Sequence, residues 1–212
     1  MPATLITIPL FPLGSMLFPE GVIHLNIFEL RYITMIRECH TNGTEFGLVG
    51  IEEGSEVSKP GIQTLNFFDI GTLARIVDFV EIEPSLFQIR CEGGSRFKIH
   101  SSALQKNGLW VGEIETLAGD SHIEVPDELD ESVNILGKLI KHFQKSGVPP
   151  EQFPFSQPYR LNDCGWVANR WAELLPINNL QKKLLLEQTN PRIRLDLAFE
   201  LLQQKQIQFD DE

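Results

Sequence analysis

Between Val22 and Phe28 the chain alternates: Ile23, Leu25 and Ile27 fall on one face of an extended segment, Val22, His24, Asn26 and Phe28 on the other. This pattern predicts a strand. Further strands are predicted at Thr4–Leu10, a β-branched run, and at Phe46–Ile51, Leu73–Ile82 and Leu109–Thr116. A helix is expected from Glu29 to His40, with Tyr32, Ile36 and Cys39 on one face and Asn42-Gly43 as its stop. Glu29 and His40 suit the positive and negative ends of its dipole. Gly54 to Pro60 reads as a polar loop. Leu86 to Ile99 reads as a hairpin turning at Glu92-Gly93-Gly94, because that turn pairs Ile89 with Phe97 and Phe87 with Ile99 on one apolar face. It also puts Gly94 where a bulge calls for positive φ.

The pattern changes after about Gly119. Leu129, Val133, Leu136, Ile140 and Phe143 form one stripe of a helix that opens with acids, closes with lysines and stops at Gly147 and Pro149. The four prolines of residues 148–160 predict an ordered loop. Three more helices are expected near 161–175, 179–188 and 191–206, the last entered through Asn190-Pro191 with Leu195, Ala198, Phe199 and Leu202 on its packed side. Strands followed by helices indicate an α+β protein. The division is placed at 1–118, a β subdomain with one helix, and 119–212, a helical subdomain of about four helices.

Composition narrows the chemistry. The chain has 212 residues and a net charge of -11, so a phosphate backbone is repelled on average and nucleic acid is disfavoured as a partner. The stretch Asp120 to Glu131 holds six acids and no Lys or Arg, and reads as a solvated linker and helix start. Cys39, Cys91 and Cys164 are far apart and odd in number, which suits reduced thiols in the cytoplasm and no disulfide framework or zinc site. The apolar N-terminus has no Lys or Arg and is broken by prolines, so neither a signal peptide nor a membrane span is expected.

No nucleotide-binding glycine loop, zinc-hydrolase motif or serine elbow occurs, and the histidines have no metal-pair spacing. No catalytic residue, cofactor or metal is assigned. Cys39-His40 is the one adjacent nucleophile–base pair by residue type, but helix neighbours point about 100° apart. Glu92 and Arg96 stand close enough in sequence to pair at the expected hairpin tip.

The run Ile8-Pro-Leu-Phe-Pro-Leu-Gly-Ser-Met-Leu-Phe-Pro-Glu-Gly21 and the run Leu25-Asn-Ile-Phe-Glu-Leu-Arg-Tyr-Ile-Thr-Met-Ile36 resemble the opening of the N-terminal domain of Lon proteases. In the same order come Phe46-Gly47, Ile70-Gly-Thr-Leu-Ala-Arg-Ile76 and Gly93-Gly-Ser-Arg-Phe97, then Leu174-Leu-Pro-Ile-Asn178, Gln181-Lys-Lys-Leu-Leu-Leu186 and Arg192-Ile-Arg-Leu195. The resemblance thins over 119–160 and departs at Glu20, which precedes Gly21 where the family has glycine directly after proline. It implies a PUA-like β pseudo-barrel followed by a helical subdomain. It also implies a substrate-binding module without ATPase or protease, and the chain is expected to be a stand-alone member that lacks those domains and is not an enzyme.

The resemblance further implies that Pro9, Pro12, Pro19 and Gly21 set loop geometry and that Phe28 and Tyr32 pack between sheet and helix. It suggests ion pairs among Glu29, Arg31 and Arg96. Partners would be protein substrates or peptides, and a homodimer fits the self-association of Lon N-terminal regions. Such a module must expose apolar area. Met16, Leu17 and Phe18, in a turn after a proline, and the adjacent Phe67 and Phe68 are the candidate peptide contacts. Two alternatives remain open: an RNA-binding PUA-like domain, and a small-ligand binder or enzyme without a motif in the sequence.

Overall fold

The computed structural model describes residues 4–53 and 65–205. The expected polar loop at Gly54 to Pro60 lies outside them. Two compact units appear along the chain, Met1–Gly119 and Asp120–Glu212.

The first unit is built on six strands: β1 (Leu5–Leu13), β2 (Val22–Ile27), β3 (Phe46–Glu53), β4 (Asn66–Glu83), β5 (Leu86–Leu104) and β6 (Trp110–Thr116). Their order is β2-β5-β4-β3-β1-β6, and a further β5–β6 pairing closes five of them into a barrel. β1 and β3 run parallel, and the other neighbours are antiparallel. β2 stands outside the closed ring, on the first half of β5. Pro9 and Pro12 belong to β1 itself, not to a loop.

β5 corrects the hairpin expectation. It runs straight through Gly93 and Gly94, and neither glycine has positive φ. The chain turns instead at Pro84-Ser85, so that Glu81 faces Phe87 and Phe79 faces Ile89. Ile89 and Phe97 are therefore not partners: Ile89 lies between Leu25 and Phe79, and Phe97 between Gly71 and Thr116. Glu92 pairs with Arg75 at 3.0 Å and with Arg90 at 3.6 Å.

Helix α1 (Leu30–Asn42) follows β2 directly and is closed by Gly43 at φ 63°, a left-handed cap that glycine adopts without steric cost. Its buried face carries Tyr32, Ile33, Met35, Ile36 and Cys39. These meet Phe11, Leu13, Ile27, Phe46, Phe87 and Ile89 in the larger of two cores of this unit. The smaller core, inside the barrel, joins Ile8, Leu10, Val49, Leu73, Phe97 and Ile114.

The second unit contains α2 (Asp130–Lys145), α3 (Cys164–Leu174), α4 (Asn179–Glu187) and α5 (Pro191–Gln204). Caps fix three of the four starts: Asp163 accepts from Gly165 N–H, Asn178 and Gln181 form a reciprocal capping box, and Asn190 accepts from Arg192 and Ile193 N–H. Gly147 ends the α2 region at φ 74°. The proline-rich loop is ordered around buried Phe153 and Phe155, whose rings meet Phe143 on α2 at 5.6 Å each. Arg194, fully buried, pairs with Asp120 and reaches Asn169 and the carbonyls of Leu185 and Gln188.

Candidate functional site

The two opening runs that carry the family resemblance meet at one place in the first unit. The outer edge of β2, the end of β1 and the first turn of α1 enclose a hollow of about 160 Å³. Phe11 and Leu13 from β1 and Tyr32 from α1 line it together with His24 to Glu29. Phe11 and Tyr32 stack with ring centroids 4.0 Å apart.

Arg31 fixes the wall. Its guanidinium lies 4.6 Å from the centre of the Tyr32 ring, donates to the Gly108 carbonyl at 2.9 Å and pairs with Glu29 at 2.7 Å. Glu29 thus closes on Arg31, two residues on, and not on Arg96, which is buried and donates to the Ala118 carbonyl at 3.4 Å. Charge-assisted bonds of this kind hold the start of α1 in register with the β5–β6 turn.

Phe28, one of the lining residues, is 56% exposed, and Leu30, two residues further at the start of α1, is 78% exposed. Phe28 does not pack between sheet and helix as expected. β2 ends at Ile27, which is buried, and Phe28 just past it is exposed like His24 and Asn26. A large aromatic left in water beside an apolar cavity is the feature a recognition surface requires.

The sequence-derived contact candidates have the opposite environment. Met16, Leu17, Phe18 and Phe68 are buried, and Phe67, half-buried, sets its ring edge-on to Trp110 at 5.2 Å. The expectation that they form an exposed apolar surface fails. Met16 lies over Gly50, where a Cβ would come within 2.7 Å of its Cγ. The Leu17 carbonyl accepts from Thr72 Oγ1 at 2.7 Å. A loop whose backbone is bonded into the barrel turns its apolar side chains inward. What could have identified Phe28 was the alternation itself, which already grouped it with His24 and Asn26.

A second hollow, of about 340 Å³, lies among β1, the end of α1 and the β5–β6 turn, and Cys39 and Glu38 are among its lining residues. Burial pushes the Cys39 thiol up, and pushes Cys91 up to about 12, so neither is a ready thiolate. His40 turns away from Cys39 and stacks on Phe79 at 4.5 Å. Among the described residues no group of three His, Cys, Asp or Glu could hold a metal ion, and no helix is long and apolar enough to cross a membrane.

Comparison with known proteins bears on the family and the fold. A family model described as the ATP-dependent protease La (LON) substrate-binding domain matches residues 7–204. The chain is 25% identical to a Lon protease of Brevibacillus choshinensis over 201 residues, 92% of this chain and 24% of that protein. It is likewise 25% identical to the Lon protease of Escherichia coli strain K12 over 206 residues, 93% of this chain and 25% of the other. It therefore spans about a quarter of the length of these curated relatives. Among solved structures, a Lon N-terminal domain protein from Xanthomonas campestris superposes with a TM-score of 0.72 at 30% identity, covering 92% of this chain and 98% of that one. The N-terminal domain of a Mycobacterium avium complex Lon protease has a TM-score of 0.61 at 15% identity over 93% of this chain and 98% of that one, a likeness of fold alone.

Proposed function

The chain belongs to the ATP-dependent protease La (LON) substrate-binding domain family, and on that footing we propose that it is a non-catalytic module that recognises protein substrates or peptides. Its contact surface is the apolar mouth between β2 and α1, and its role is that of an adaptor or substrate-capture factor. The observation that carries this reading is Phe28, left 56% exposed over a hollow whose lining, His24 apart, comes from the two runs of residues that mark the family. Apolar side chains of an unfolded segment lose water against Phe28, Leu30 and the hollow, and that burial supplies the affinity.

The test uses reduced, alkylated lysozyme, a permanently unfolded chain, as the probe in fluorescence anisotropy. Phe28→Asp is expected to weaken binding about tenfold, as a loss of about 1.4 kcal/mol would. Because Phe28 is exposed, thermal stability should hold, as surface substitutions usually stay within about 0.5 kcal/mol. Leu104→Asp, on an equally exposed leucine (57%) of β5, is the control and should leave binding unchanged. Equal affinity for wild type and Phe28→Asp, or an equal loss in the control, would remove the mouth as the contact surface.

A further inference from the structure

The mouth adjoins an open strand. β2 pairs with β5 through six consecutive partners, from Val22 with Glu92 to Ile27 with Phe87, without a break in register. Among the described residues no strand lies on its other side. Sheets normally blunt such an edge with lysine, proline or a bulge, or cover it. Val22-Ile-His-Leu-Asn-Ile27 has neither lysine nor proline, and its ladder has no bulge.

The opposite edge of the same layer shows what blunting looks like in this molecule. β4 pairs with β3 only as far as Ala74, which leaves Ile76 to Glu83 without a strand on that side among the described residues. That stretch breaks register between Ile76 and Asp78 and again between Glu81 and Glu83, and it carries Asp78, Glu81 and Glu83. Helix α1 also lies against it: His40 stacks on Phe79 at 4.5 Å, and Arg37 pairs with Glu81 at 3.6 Å. One edge is bulged, acidic and covered, and the other is regular, holds no lysine, arginine or acid, and has no strand beyond it among the described residues.

We propose that the free edge of β2 takes an extended segment of substrate polypeptide as an added strand, with one apolar side chain of the segment seated in the adjoining hollow. This rests on the recognition function proposed above and specifies how it is carried out. Alternate residues of an antiparallel-paired strand turn their N–H and C=O groups outward, and a row of such groups at strand spacing is complemented by another strand. At about 160 Å³ the hollow is smaller than the about 300–1,000 Å³ of small-molecule sites, and it suits a single side chain. Glu29 in its lining is already paired with Arg31, so the hollow itself takes an apolar side chain, while the net charge of -11 on the chain favours a segment that is apolar in alternation and basic at its ends.

The probe is a fluorescein-labelled peptide, Lys-Val-Thr-Val-Thr-Val-Lys, with two isomers N-methylated at either the odd or the even internal residues. N-methylation removes the amide donor and leaves the side chain in place. Strand addition uses the amides of one edge of the peptide only. One isomer is therefore expected to lose at least about tenfold in affinity, and the other to stay within about twofold. Hydrogen exchange should show the unmodified peptide protecting alternate amides of β2. If the two isomers bind alike, or β2 amides gain no protection, strand addition is overturned while recognition through the mouth stands.

If the peptide fails to bind but unfolded lysozyme binds, strand addition is again overturned. If neither binds, the recognition reading falls with it. A dimer in which the alternate β2 amides are already protected, and which the peptide neither dissociates nor protects further, would assign the edge to a second copy of the chain and overturn the proposal.

Discussion

Gly93 sits in the middle of β5, and its backbone bonds to the loop that follows β1: Glu20 N–H donates to the Gly93 carbonyl at 2.8 Å, and Gly93 N–H donates to the Gly21 carbonyl at 2.9 Å. A Cβ at this position would collide with the Phe18 carbonyl oxygen. The residue is glycine because two backbones touch here, and this contact keeps Leu17 and Phe18 inside. Gly93→Ala is therefore expected to destabilise the protein by at least about 1–3 kcal/mol, the cost of forcing volume into a packed site. Urea unfolding checks this against Gly119→Ala, where nothing lies within 4 Å and no destabilisation is expected. An unchanged midpoint for Gly93→Ala would mean that the loop gives way at no cost. Sequence shows that a glycine is present but not whether a turn or a neighbouring backbone requires it. For the same reason Gly93-Gly94 reads as a hairpin tip when the tip is Pro84-Ser85. Burial of apolar loop residues is equally hidden, because a loop has no period from which to read a buried face, and the inward direction of Met16 to Phe18 shows only in the structure.

At the scale of elements, periodicity and caps performed well wherever they were strong. The start of α5 is legible in Asn190-Pro191, the stops in Gly43 and Gly147, and the inward face of α1 in its 3.6-residue spacing. The tie that binds the start of the helical unit to α5 was not legible. Asp120, read as part of a solvated acidic linker, pairs with Arg194, 74 residues away, and no local pattern announces a partner at that distance. Arg194 is fully buried and accepts compensation from Asn169 and from the carbonyls that end α4. Removing the carboxylate strands a guanidinium in the interior. Asp120→Ala should cost about 3–5 kcal/mol, and the double change Asp120→Leu with Arg194→Met distinctly less, because it removes both charges. Urea unfolding followed through the fluorescence of Trp166 and Trp171, both in this unit, measures the difference. A single variant no less stable than the double would show that the pair does not hold the unit together.

Over the whole molecule, the resemblance makes the family legible, whereas the mouth proposed as its contact surface is not. The mouth gathers Phe11 and Leu13 with residues 24–29 and Tyr32 through strand pairing and helix packing, and Phe28 is exposed against the usual preference of phenylalanine for the interior. Charge acts at this same scale. A chain of net charge -11 carries a field that a partner meets before any contact forms, and that field favours basic segments and repels acidic ones. Reduced, alkylated lysozyme is basic, and α-lactalbumin treated the same way is acidic and of similar length. At about 50 mM salt the lysozyme chain should bind more tightly, chiefly through faster association. The gap should narrow as salt rises toward about 1 M, where the screening length falls to about 3 Å, because contacts shorter than that survive while the field does not. Equal affinities that ignore salt would show that charge has no part in selecting the partner, and would leave the apolar mouth and the strand edge to account for selection without it.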